Sequence, residues 1–126
     1  VESAGSVFDL VGGQPWFDAL VERFYDGVVG DAGLRPMYPD DLTDSKRHLA
    51  QFLAQYWGGP TTYSDQRGHP RLRMRHMPFS IHKAERDAWY SHMAAAVRSG
   101  GLSEEVEEAM LGYFDNAATH LINATG

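Results

Sequence analysis

The sequence contains no cysteine. That excludes disulfides, thiolate zinc sites, iron–sulfur clusters, thiol nucleophiles and thioether attachment of any prosthetic group. Long apolar runs are also missing, and none approaches the roughly 20 residues that cross a bilayer. No signal-peptide pattern opens the residues given, so the cytoplasm is the expected compartment. Basic charge is scarce: eleven Lys and Arg stand against seventeen Asp and Glu, for a formal net charge of −6. A general nucleic-acid or membrane-surface binder needs a basic footprint, so neither is expected. Internal repeats, low-complexity tracts and the alternation of paired strands are absent as well.

What is present suits one domain over residues 1–126. Hydrophobic residues make up 43% of the chain and aromatics 12%, enough for a folded core. A chain this short has difficulty enclosing a large cavity. A flat bound cofactor would have to supply part of the core.

The patterning is helical throughout. Pro15 suits a first helical position, and Trp16, Phe17, Leu20, Val21, Phe24, Tyr25, Val28 and Val29 mark one face before Gly30 and Gly33. Residues 1–14 read as loose chain. A second helix is predicted from about Leu42 to Trp57, with Leu42, Ser45, Leu49, Phe52, Leu53 and Tyr56 inward, stopped by Gly58-Gly59-Pro60. Residues 60–79 read as a long loop, of a length that tends to be functional, with a short helix over 70–76 broken before Pro78. A third helix is predicted after Ser80 as N-cap, with Ala84, Ala88, Trp89, His92, Met93, Ala96 and Val97 in register. The fourth starts at Ser103, with Glu104 and Glu105 in its first turn and a stripe from Val106 to Ile122. The class is all-α.

Six histidines are candidates for chemistry: His48, His69, His76, His82, His92 and His120. None sits in an H-E-x-x-H or Glu-x-x-His arrangement, so a metal held by side chains alone is poorly supported. His76 differs in context. It ends a basic segment and precedes Met77, Pro78 and Phe79. A neutral imidazole there could give one nitrogen to a metal and donate its other N–H to a carbonyl. On local context alone, a surface loop histidine is the competing reading. Arg67, Arg71, Arg73 and Arg75 admit an anion patch, carboxylate pairing or a solvated face, and composition favours the solvated face for most of them. Tyr25, Tyr38 and Trp89 carry polar tips on apolar faces, which by themselves indicate core.

Several stretches carry a resemblance: Val11-Gly12-Gly13, Arg23-Phe24-Tyr25, Met37-Tyr38-Pro39 and Gln55 to Pro60. The longest is Arg67 to His76, followed by Pro78-Phe79, and Glu85-Arg86-Asp87-Ala88-Trp89 completes the series. In this order they resemble the truncated haemoglobins of the second group, and the actinobacterial members closely, from about Val7 to Ile122. The resemblance implies a truncated globin fold, a two-over-two sandwich of B/E and G/H helix pairs around a haem. With no C-x-x-C-H motif, the cofactor would be haem b, an iron protoporphyrin IX held without covalent bonds.

The resemblance assigns His76 to the proximal iron ligand, and Tyr25, Tyr38 and Trp89 to the distal face, where they would stabilise a bound ligand. It places Ser45 and Leu49 along the E helix and expects Phe52, Leu72, Met77, Phe79, Ile81, Met93 and Phe114 to wall the haem. Tyr63 and Arg75 are its candidates for the propionates, and His48 stands where relatives carry arginine. Donors aimed at a polarised diatomic ligand stabilise it by roughly 1.5–3 kcal/mol each, which predicts slow oxygen release. The expected ligands are O2, NO and CO, and the expected role is redox chemistry as a nitric oxide dioxygenase or peroxidase, with a reductase as partner for repeated turnover. Oxygen storage or transport and gas sensing are the alternatives, and a homo-oligomer is left open. A reading from a different class is a haem-free helical module that binds an anion or a partner through its arginine-rich loop.

Overall fold

The computed structural model describes residues 6–124, and all its regular structure is helical. Seven α-helices run in order: α1 (Val7–Val11), α2 (Gln14–Val29), α3 (Thr43–Tyr56), α4 (Thr62–Arg67), α5 (Leu72–His76), α6 (Lys83–Arg98) and α7 (Glu104–His120). A 3₁₀ turn spans Arg35–Met37. None of the described helices is long and apolar enough to cross a membrane.

α2 forms because its apolar residues recur every three or four positions. Phe17, Leu20, Val21, Phe24, Tyr25 and Val28 are all buried on one face. Val29, expected on that face, is 56% exposed, since it lies about 100° round the helix from Val28. α3 turns Ala50, Leu53 and Ala54 inward, while Tyr56 in its last turn is half exposed instead of inward. α2 packs on α3, α6 packs on α7, and α2 meets α6. The two pairs are thereby stacked into a two-over-two sandwich, with Phe17, Phe24, Met93, Met110 and Phe114 in the common core.

Four local expectations are corrected. Residues 7–11 are helical, not loose: the Ser6 hydroxyl accepts from the Asp9 amide, and Gly12 and Gly13 at φ +103° and +83° turn the chain directly into α2. The first five positions of the stretch expected to be loose lie outside the described residues. The long connection after α3 is broken up by α4, which Gln55 pins by donating to the Ser64 hydroxyl at 2.6 Å and accepting from its amide at 3.0 Å. α6 is capped by His82, not Ser80, because the Glu85 carboxylate accepts from the His82 amide at 2.7 Å. Ala84, expected inward, is exposed in the first turn of α6.

Side chains tie the pairs together. Arg23 of α2 donates twice to the Ala96 carbonyl of α6, and Arg86 of α6 pairs with Asp115 of α7 while donating to the Thr119 hydroxyl. Asp31, just past α2, pairs with His92 of α6 at 2.7 Å. The His92 hydrogen bond, then the Gly33 and Leu34 amides, hold the Asp31 carboxyl below its ordinary value. Its stabilising effect is therefore complete above about pH 4 and is lost as pH falls through the lowered value. Asp31→Ala is expected to melt a few degrees below wild type near neutrality, with the gap closing in acid. Thermal melts over an acid series check this, and a gap independent of pH would refute it.

Candidate functional site

Two cavities, of about 220 and 160 Å³, open between the helix pairs. Tyr38, His76, Trp89, Ala118 and Leu121 border both, so they are two lobes of one cleft. The walls are otherwise mostly apolar: Leu49, Phe52, Leu72 and Phe114 in the smaller lobe, Leu34, Met37, Phe79 and Ile81 in the larger.

His76 ends α5 and is half-buried at this cleft. Its Nδ1 lies 2.6 Å from the Leu72 carbonyl one turn back. A carbonyl only accepts, so Nδ1 carries the proton and the neutral ring keeps its lone pair on Nε2. The backbone around it is clamped from the C-terminal end. The Asn123 amide group donates to the carbonyls of His76 and Phe79 at 3.2 and 2.9 Å, and accepts from the Ile81 amide at 2.8 Å. The backbone amide of Asn123 returns a bond to the Ile81 carbonyl at 3.0 Å.

α2, the segment just after the 3₁₀ turn and α6 each supply one polar ring tip to the same cleft. Tyr25 is 4% exposed, and its ring meets that of Tyr38 edge-on at 5.5 Å. Burial, followed by the neighbouring Tyr38, pushes the Tyr25 phenol well above its usual range. Burial also pushes Tyr38 up to about 12, opposed by the Trp89 indole N–H. Arg35 fixes the Tyr38 loop by donating to the carbonyls of Tyr38, Pro39 and Asp40. Trp89 is wedged between Phe24 and Phe114, at ring distances of 5.4 and 5.9 Å.

Eleven of the residues singled out in the sequence therefore line the cleft: Tyr25, Tyr38, Leu49, Phe52, Leu72, Arg75, His76, Phe79, Ile81, Trp89 and Phe114. Five do not. Met93 is wholly buried in the core, and Tyr63 is buried against Phe52 under the Arg67 guanidinium. Met77 is 64% exposed, and Ser45 lies half-buried on α3. His48 faces Arg67 at 3.3 Å, and burial, then the charges of Arg67 and Arg47, press its pKa down. Asn123, Arg86, Met37 and Leu34 belong to the cleft or its supports without having been anticipated. The Ala117, Ala118 and Leu121 lining was signalled by their place on or just beyond the α7 stripe.

This donor set tests what could sit here. Among the described residues no group of three or more His, Asp or Glu could hold a metal. One unprotonated imidazole nitrogen in a mostly apolar cleft suits an iron whose other ligands come from a macrocycle.

The family described as bacterial-like globin matches residues 6–123. The chain is a bacterial-like globin. It belongs with the group II truncated haemoglobins: it is 42% identical to group 2 truncated haemoglobin YjbI of Bacillus subtilis, over 90% of this chain and 86% of that protein. Among solved structures it is similar to the haemoglobin of the thermophilic phototroph Chloroflexus aurantiacus, with TM-score 0.93, 46% identity and coverage of 95% of this chain and 99% of that one. It is also similar to a truncated oxygen-avid haemoglobin from Bacillus subtilis, with TM-score 0.88, 39% identity and coverage of 94% of this chain and 100% of that one. Membership of this family implies haem-based gas binding.

Proposed function

We propose that this globin holds a non-covalent haem b on His76, binds dioxygen and releases it slowly, and serves redox chemistry on nitric oxide or peroxide. The observation that carries the proposal is the 2.6 Å contact of His76 Nδ1 with the Leu72 carbonyl, which leaves Nε2 for iron in a cleft whose walls also present Tyr25, Tyr38 and Trp89. The bound haem would supply an iron that takes a diatomic ligand and exchanges electrons.

The chain's own residues do the rest. The Leu72 carbonyl fixes the imidazole tautomer and orientation and raises its basicity. Leu49, Phe52 and Phe114 keep water from the cleft. Arg75 is braced by its Nε bond to the Pro70 carbonyl at 2.8 Å, leaving its terminal nitrogens for a propionate. His48, with its lowered pKa beside Arg67, is a weaker carboxylate partner than that arginine. Trp89 can only donate a hydrogen bond, and the two buried phenols stay protonated and can donate too. Oxygen avidity, named for the Bacillus subtilis relative, accords with such a donor set. Repeated turnover as a dioxygenase requires electrons from a reductase.

Spectra of the ferrous protein test this in one series. The haem-loaded protein is expected to show a Soret band, to shift it on oxygenation, and to turn ferric with release of nitrate when nitric oxide is added. Failure to bind added haem would overturn the cofactor assignment. An oxygenated form that leaves nitric oxide and peroxide unreacted would replace the redox role with oxygen storage.

A further inference from the structure

We infer that the outward face of α5, with Arg71, Arg73 and Met74 at its centre and Arg67 beside it, docks an acidic protein that delivers single electrons to the iron held on His76. The inference rests on the haem reading above and gives the reductase which that reading requires a docking site and a charge.

Charge is divided unevenly along the chain. Residues 66–84 carry Arg67, Arg71, Arg73, Arg75 and Lys83 and no Asp or Glu, although acidic residues outnumber basic ones seventeen to eleven overall. Lys83 is paired with Asp87, and Lys46, Arg47 and Arg86 also meet carboxylates. The four arginines of the segment form no ion pair among the described residues. Arg73 is held by the His120 carbonyl at 2.9 Å, Arg75 by the Pro70 carbonyl at 2.8 Å and Arg67 by the His48 ring at 3.3 Å. Neutral partners fix these guanidinium groups and leave their charge undiminished. All four arginines are exposed.

α5 has an inner and an outer face. Leu72 and His76, one turn apart, border the cleft, and Arg75 lies at its edge. Arg71, Arg73 and Met74 border neither lobe, so a haem in the cleft leaves them open to a partner. Met74 is 57% exposed and Met77 64%, an apolar centre inside an arginine rim. Arginine and methionine are enriched at protein interfaces, and methionine adapts to the surface it meets. Arg71 is the one non-glycine residue with positive φ among the described residues, at +47°, and its amide donates to the His69 ring at 3.0 Å. A helix is about 10–12 Å across, so a partner seated on the outer face lies about one helix width from the imidazole.

Charge complementarity selects the occupant. Positive charge gathered on one face of a net negative molecule orients an approaching acidic protein and repels a basic one. A nucleic acid or an anionic membrane extends beyond the patch and meets the acidic remainder of the chain. On docking, the partner is oxidised by one electron and the iron goes from ferric to ferrous, with no covalent bond made or broken.

The probe is plant-type ferredoxin, a small acidic one-electron donor. Two readouts are taken: reduction of the haem-loaded ferric protein by reduced ferredoxin, followed at the Soret band, and binding of oxidised ferredoxin by titration calorimetry, which reports docking without electron transfer. Raising salt from about 20 to about 200 mM is expected to slow reduction about tenfold. Arg71→Gln and Arg73→Gln are each expected to slow it about threefold and weaken binding to match, and the double variant about tenfold. Arg71 makes no side-chain hydrogen bond among the described residues, so its variant changes charge with the fold intact. Photoreduced deazaflavin, an uncharged reductant, should reduce wild type and variants alike. Arg98→Gln removes the same charge at the far end of α6, about 22 Å along the helix from Lys83, and should leave both readouts as in wild type. Salt-independent reduction, or a double variant that ferredoxin binds and reduces like wild type, overturns the docking face and leaves the haem reading standing. Equally strong binding of a DNA oligonucleotide or of phosphatidylserine vesicles overturns it too, by making the patch a general polyanion surface. A protein that takes up no haem overturns the haem reading and this inference with it.

Discussion

His76→Ala is expected to lose the Soret band on purification and to regain it when imidazole is added. Among the described residues no other histidine borders the cleft, so no second imidazole is placed to take over the iron. Losing a group that only orients a metal ligand typically costs 10–100-fold in metal affinity, so loss of the ligand itself should exceed about a hundredfold. Alanine keeps the last turn of α5 helical, and His76 is half-buried at the cleft rather than in the core. The variant should therefore keep its helical circular dichroism, which separates loss of ligation from loss of folding. Asn123→Ala probes the same ligand from behind. It removes the bonds to the carbonyls of His76 and Phe79 and from the Ile81 amide without touching the imidazole. Haem should bind with an unchanged spectrum but dissociate severalfold faster. A His76→Ala protein with a native ferrous spectrum and no added imidazole would refute the ligand assignment, and an Asn123→Ala protein with wild-type haem loss would refute the clamp.

The four long helices were legible in the sequence because each repeats its apolar residues often enough to show a period. The short ones were not. α1 has five residues, and α4 is a polar hexapeptide whose one buried side chain is Tyr63, so neither can display periodicity. The α6 boundary was misplaced by ranking the capping residue alone, which favours Ser80. Glu85 decides it, because its carboxylate reaches back three residues to His82. At the site, the resemblance supplied the residues and the helix rotations supplied their destinations. Leu49, Phe52 and Phe114 face the cleft, whereas Met93 belongs to the core. Leu34 and Met37 reach the cleft through the turn after α2, and Asn123 through the tail after α7. Such placements depend on tertiary packing between distant segments, which no local pattern encodes. His76 itself was distinguishable from five other histidines only weakly by its neighbours; it is set apart by joining the Leu72 carbonyl bond to a place at the cleft, whereas His120 makes the same kind of bond to Asn116 away from it.

Trp89→Phe is expected to speed oxygen dissociation by about tenfold to a hundredfold, from the roughly 1.5–3 kcal/mol that a hydrogen bond to a charged group contributes. The substitution keeps an aromatic ring between Phe24 and Phe114 and removes the indole N–H. Carbon monoxide supplies the control: it polarises less when bound, so its dissociation should change far less than that of oxygen. An equal acceleration of both ligands would indicate a widened cavity instead of a lost donor. Tyr25→Phe should act in the same direction, and the double variant should fall short of the product of the two effects, since both donors serve one ligand and Tyr38 remains beside them. The phenols also fix the pH response. Each is a donor only while protonated, and burial holds Tyr38 at about 12 and Tyr25 above its usual range. Oxygen release should therefore stay flat from neutrality to roughly pH 10, where an ordinary tyrosine would already be half ionised. It should rise only as pH approaches the raised value and the Tyr38 hydroxyl becomes a repelling anion. Stopped-flow dissociation rates across that range decide the point, and a rise centred near pH 10 would mean that the tyrosines facing the ligand are not these buried ones.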